Sequence, residues 1–243
     1  VHRIAFIGDS VTLGMGAVPA ETFVGRVGAM AAAAGHGAQA LNFGVDGYNA
    51  LQVRELLTAK VLAFQPDQVV YVLCLNDFDF MDSSGQKIDY FRKPRFFLPR
   101  WLEQKNRAFW RTEFHRHHFR KHARQVFAAI HDMRNVCLAQ KVGFLLAVAP
   151  VFPDRPGDPA YFEHYPLADI HEGIGWLGEE NIRVHDLLGD FRRQPPPPQR
   201  YLLDLWHLSA EGHRVVAEAL YPDLFPRAGE SARAASGGEF TSP

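Results

Sequence analysis

A chain of 243 residues with 47% hydrophobic types is long enough to bury one enzyme-sized core, and its formal charge of -1 argues against nucleic acid as a general partner. No stretch reaches the ~18 consecutive apolar residues of a membrane span. The two cysteines, Cys74 and Cys137, are too few for a disulfide framework and read as buried free thiols.

The chain opens VHRIAFIGDS. Ile4, Ala5, Phe6 and Ile7 predict a short apolar strand that breaks at Gly8 and delivers Ser10 to the C-terminal edge of a sheet, where α/β folds assemble their sites. A helix is expected over 21–34, ending at Gly35, and a second strand over 39–43. That strand runs into LNFGVDGYN, with Gly44 and Gly47 just beyond it. An amphipathic helix over 50–64 precedes QVVYVLCL at 68–75, a strand apolar on both faces that leads to Asn76. Such strands alternating with helices predict a parallel sheet covered on both sides, a three-layer α/β/α sandwich.

Between about 78 and 107 the alternation stops and an aromatic, basic insertion follows, with Tyr90, Phe91, Phe96, Phe97 and Trp101. From 92 to 124 there are eleven Lys or Arg residues against Glu103 and Glu113, with His115, His117, His118 and His122 among them. This stretch reads first as a solvated helix face with an aromatic core side. A sharper reading is a patch for an anionic polysaccharide or lipid head group. Metal binding is disfavoured because the histidines lack nearby acidic or thiol ligands in a closed arrangement.

A helix over about 108–140, a strand over 142–149, a loop rich in Pro and Asp, a helix near 167–180 and a short strand over 181–185 follow. The proline run 195–198 reads as a stiff surface loop. Ser209 is the expected N-cap of a last helix over 210–220. One domain over 1–227 is expected, with 228–243 a disordered tail. The chain begins with Val1 rather than methionine, as a processed product would, so cytoplasmic and processed extracytoplasmic forms both stay open.

Ahead of Ser209 stand Asp204, Trp206 and His207. A serine hydroxyl is a poor nucleophile until an imidazole takes its proton, and the imidazole needs a carboxylate to fix its tautomer. Ser10, His207 and Asp204 supply those three groups. A glycine N–H from the LNFGVDGYN block, the Asn76 amide and the N–H of Ser10 would supply donors for an oxyanion. Most of these residues also have a plainer role open to them: Ser10 as a helix cap, Gly44 and Gly47 as turn residues, Asp204 as a cap, Trp206 as packing against the last helix and His213 as a structural residue of it, whereas His207 has none.

The order GDSV, NFGVDGYN, LND and DLWHLSAEGH resembles the SGNH hydrolase, or GDSL-type esterase and lipase, superfamily, and these blocks span most of the chain. The resemblance implies a flavodoxin-like SGNH hydrolase fold. It implies Ser10 as nucleophile and first oxyanion donor, Gly44 as second donor, Asn76 as third, His207 as base and Asp204 as its orienting acid, with no metal or organic cofactor. One departure is visible: Cys74 stands where the family pattern has glycine, which predicts a slightly altered strand end with the Asn76 donor kept. Asp77 is expected to order the loop. The implied activity is serine-dependent hydrolysis of carboxylic esters, on small-molecule, carbohydrate or lipid substrates. The rival readings are an O-acyltransferase acting on a polysaccharide hydroxyl and a non-catalytic carbohydrate-binding relative. Acyl length, alcohol moiety and oligomeric state are not legible from these residues.

Overall fold

Five strands, β1 (His2–Gly8), β2 (Ala38–Gly44), β3 (Gln68–Leu73), β4 (Gly143–Val148) and β5 (Arg183–Asp186), form a wholly parallel sheet in the order β2-β1-β3-β4-β5. The computed structural model describes residues 1–80, 107–152, 158–204 and 206–226. The expected tail at 228–243 and most of the expected insertion, 81–106, lie outside the described residues.

β3 is buried at all six positions and β1 from Ile4 onward, whereas the edge strands β2 and β5 are only partly covered. That is the pattern of strands packed under helices on both faces. The described helices are α1 (Ser10–Leu13), α2 (Phe23–Ala33), α3 (Ala50–Ala59), α4 (Arg107–Ala139), α5 (Ala168–Gly175), α6 (Leu187–Arg192) and α7 (Ala210–Leu224). α2 packs against α7, and α3 against α4. Because β2 and β3 flank β1 on opposite sides, right-handed crossovers place α2 and α3 on opposite faces. The expected three-layer α/β/α sandwich is the observed architecture.

The register aligns Gly8 with both Gly44 and Val72, and Leu73 with Val148, so these strands end along one edge. Strand order reverses between β1 and β3, which opens a crevice beyond their C-terminal ends. Ser10 follows β1 and Asn76 follows β3, so the topology brings both to that crevice.

Element ends depart from expectation where local bonds outcompete the pattern. The expected strand 68–75 stops at Leu73, because Asp77 Oδ2 accepts the Cys74 N–H at 2.9 Å and folds Leu75–Phe78 into a 3₁₀ turn. The expected helix 50–64 ends at Ala59 and continues as a 3₁₀ turn over Val61–Phe64, closed by Gln65 at φ 52°. The expected helix 167–180 likewise becomes α5 and a short 3₁₀ turn at Trp176–Gly178. α6 was not expected; at six residues it is too short for a periodic signal, and Asp186 caps it by accepting the Leu188 N–H at 3.0 Å. α7 starts where expected, with Ser209 Oγ accepting the Gly212 N–H at 3.2 Å, but runs on to Leu224 with Pro222 in its last turn.

Two histidines tie α7 to the rest of the fold and set opposite pH limits. His185 on β5 lies between Asp190 (2.8 Å) and Asp223 (2.6 Å). Burial alone would lower its pKa, but the two carboxylates outweigh it and hold the ring at about 9. His213 Nδ1 accepts the Phe23 N–H at 3.2 Å at the start of α2, and burial pushes its pKa down to about 4. The His185 contribution is complete below pH 6.5 and is lost as pH rises through 9. The His213 contribution is complete above pH 6.5 and is lost as pH falls through 4. The thermal midpoint should therefore decline on the alkaline side by up to about 3 kcal/mol equivalent. Asp223→Asn should flatten that alkaline decline while leaving the acid one, as scanning calorimetry from pH 4 to 10 would read.

Candidate active site

Ser10 is the first residue of α1, directly after a turn that only glycine permits. A Cβ on Gly8 would stand 2.3 Å from Thr12 Oγ1 and 2.8 Å from the Val72 carbonyl oxygen. The cap of α1 is Asp9, whose Oδ1 accepts the Val11 N–H at 2.9 Å. The hydroxyl of Ser10 is thus not the cap and is left to the crevice.

The second part comes from the loop ahead of α7. Tyr201 Oη donates to the Pro195 carbonyl at 2.8 Å, which anchors the proline run, and Leu202 bridges Leu208. Within that frame the Leu203 N–H donates to the His207 carbonyl at 2.9 Å. Asp204 Oδ1 accepts the N–H groups of Trp206 (2.9 Å) and His207 (2.8 Å). Its other oxygen, Oδ2, lies 2.7 Å from His207 Nδ1, and His207 Nε2 lies 3.0 Å from Ser10 Oγ. Residues 197 positions apart are joined in one line, carboxylate to imidazole to hydroxyl.

Burial pushes the Asp204 carboxyl up, but its bonds to the His207 ring and to two backbone N–H groups outweigh that and hold it below the usual carboxylate range. A charged Asp204 accepts a hydrogen bond from the Nδ1–H of His207, which leaves Nε2 bare toward Ser10. This is the arrangement that lets an imidazole receive a serine proton.

Asn76 sits in the 3₁₀ turn after β3, and its Nδ2 donates to Asp9 Oδ2 at 2.8 Å. The structure brings Asn76 beside the nucleophile through Asp9, a residue that sequence reasoning passed over although it stands within the GDSV motif. Cys74 keeps the strand end compatible with this donor: its N–H goes to Asp77 and its Sγ lies 3.5 Å from Asp9 Oδ1. Asp77 orders the loop as expected. Both cysteines are free and buried, and burial raises both thiols, Cys137 to about 12.

Gly44, the second expected donor, stands at the end of β2. Its N–H donates to Asn42 Oδ1 at 2.9 Å, and a Cβ there would meet the Leu13 backbone nitrogen at 2.1 Å. Its lack of a side chain serves the packing of α1 on β2, and its N–H is spent within its own strand. Gly47, three residues on, has φ 73° and open space where a Cβ would be.

One wall beside the site comes from α4. His115 lies edge-on to Trp206 with ring centroids 5.3 Å apart, and His118 lies 3.6 Å from Asp79. Both rings are buried, so this part of the basic helix is not the solvated face expected. Burial lowers the His118 pKa, against the pull of Asp79. Beneath the site, Val11, Cys74, Trp206 and Leu208 border an apolar cavity of about 10 Å³. That is barely room for one water, so it serves as packing.

A model of the GDSL-like lipase/acylhydrolase family matches residues 6–215. Among solved structures, an acetylxylan esterase from Geobacillus stearothermophilus, determined as a catalytic mutant, is 18% identical with a TM-score of 0.61, covering 92% of this chain and 94% of its own. The lipase Lip_vut3 from a goat rumen metagenome is 17% identical with a TM-score of 0.61, covering 93% and 99%. TesA is 16% identical with a TM-score of 0.59, covering 93% and 99%. At these identities the likeness is one of fold. No curated protein matches the sequence.

Proposed function

The chain belongs to the GDSL-like lipase/acylhydrolase family and is an ester hydrolase, and from that premise we propose that it acts through an acyl-enzyme on Ser10. The observation that carries this reading is the unbroken line from Asp204 through His207 to Ser10, with contacts of 2.7 and 3.0 Å.

His207 Nε2 takes the hydroxyl proton as Ser10 Oγ attacks the ester carbonyl, and Asp204 stabilises the imidazolium that forms. The tetrahedral oxyanion is met by the Ser10 N–H and the second N–H of the Asn76 amide. In this reading a backbone N–H of the block that holds Gly44 and Gly47, after β2, supplies the further donor. Losing one such donor costs about 10²–10³ in turnover. Collapse breaks the C–O bond, and His207 returns its proton to the departing alkoxide. Water, deprotonated by the same imidazole, then releases the acid and restores Ser10.

Initial-rate hydrolysis of nitrophenyl esters from acetyl through lauroyl tests the reading. Saturable turnover is expected, with acid release undiminished when a carbohydrate acceptor is added. Absence of turnover across the series would count against it, and diversion of the acyl group onto the acceptor would favour transfer over hydrolysis.

A further inference from the structure

The orientation of Asn76 is held at one end only. Its Nδ2 donates to Asp9 Oδ2 at 2.8 Å, while its Oδ1 is buried without a hydrogen-bond partner among the described residues. A side-chain amide can turn through half a revolution and exchange its oxygen for its NH₂ group. Here the turned amide would set oxygen against the oxygen of Asp9, and no partner among the described residues holds its far end.

We propose that Asp9 is a positioning residue whose carboxylate locks the Asn76 amide with NH₂ inward, one N–H engaged by Asp9 and the other kept for the oxyanion. The proposal rests on the reading of Ser10 as nucleophile. An ionised Asp9 accepts only, so it accommodates one amide orientation; a neutral group at position 9 accommodates both.

The groups that touch Asp9 are all donors, which suits a charged carboxylate. Asp9 is 1% exposed and takes donors from Asn76, from the Val11 N–H at 2.9 Å and from Cys74 Sγ at 3.5 Å. The groups facing it are Cys74 and Tyr71 from β3, Asp77 from the turn that follows, and His207 from the loop before α7. Burial raises the pKa of Asp9, and its three donors and His207 pull it back. Burial and the neighbouring Asp9 charge also push Asp77 up. Both Asp9 oxygens instead meet donors, Oδ2 the Asn76 amide and Oδ1 the Val11 N–H and the Cys74 thiol, and that set of contacts suits an ionised carboxylate. Cys74, standing where the family pattern has glycine, gives this chain a thiol donor to Asp9.

The test is a double-mutant cycle on nitrophenyl acetate with Asp9→Asn, Asn76→Ala and the pair. Asp9→Asn is expected to lower kcat about 10²-fold with KM held within about threefold. In the Asn76→Ala background it should cost no more than about threefold further, because the donor it positions is gone. Losses that multiply would overturn the proposal, as would full kcat in Asp9→Asn. Ser10→Ala run alongside separates the two levels: undiminished activity there would mean that the acyl-enzyme reading itself has failed. Should Asp9→Asn not fold, Cys74→Ala carries the test. It removes one donor from ionised Asp9, so the acid limb of kcat against pH should move to higher pH, and an unmoved limb would contradict the proposal.

Discussion

Ser10→Ala is expected to lower kcat for ester hydrolysis by about 10⁶-fold while leaving the thermal midpoint unchanged. The combination is the informative part. Ser10 Oγ meets His207 Nε2 at 3.0 Å, and the cap of α1 is the work of Asp9. Removing the hydroxyl deletes the nucleophile and nothing that holds the turn. Were Ser10 only a helix-start residue, the substitution would move stability by about 1 kcal/mol and spare activity. Parallel ester assays and calorimetry on the two proteins decide between these outcomes.

Asp204→Asn should cost about 10⁴-fold in kcat with the loop geometry preserved. An asparagine at 204 can still accept the N–H groups of Trp206 and His207 through its amide oxygen, so the turn survives. Its NH₂ would then face His207 Nδ1, which must become the acceptor. The ring proton moves to Nε2, where it points at Ser10 and cannot receive another. Asp204 is held below the usual carboxylate range, so in the native protein this loss has no counterpart at neutral pH. A kcat for Asp204→Asn within about tenfold of wild type would remove Asp204 from the proposed role.

What was legible in the sequence followed from strong local patterns. The continuous apolar runs at Ile4–Ile7 and through Val69–Leu73 announce central parallel strands, and Ser209 announces α7, because burial and capping leave marks on neighbouring residues. The pairing of Ser10 with His207 and Asp204 was legible through residue chemistry and the resemblance of the four blocks. What stayed hidden depends on which partner a polar group finds in space. Gly44 and Gly47 sit in one short block, and only the structure shows that the Gly44 N–H meets Asn42 and that α1 crowds Gly44 but not Gly47. Asp9 lies beside the serine in sequence, yet its hold on Asn76 is a contact across 67 residues. His115 and His118 belong to a basic helix that reads as solvated until Trp206 and Asp79 are seen against it.

The central claim is that Ser10 is the nucleophile, and the most direct measurement is intact-protein mass spectrometry after exposure to a serine-reactive phosphonate. One adduct per chain is expected on the wild type, mapped to Ser10 by digestion, with none on Ser10→Ala. An unmodified wild type, or an adduct that persists in the variant, would contradict the account.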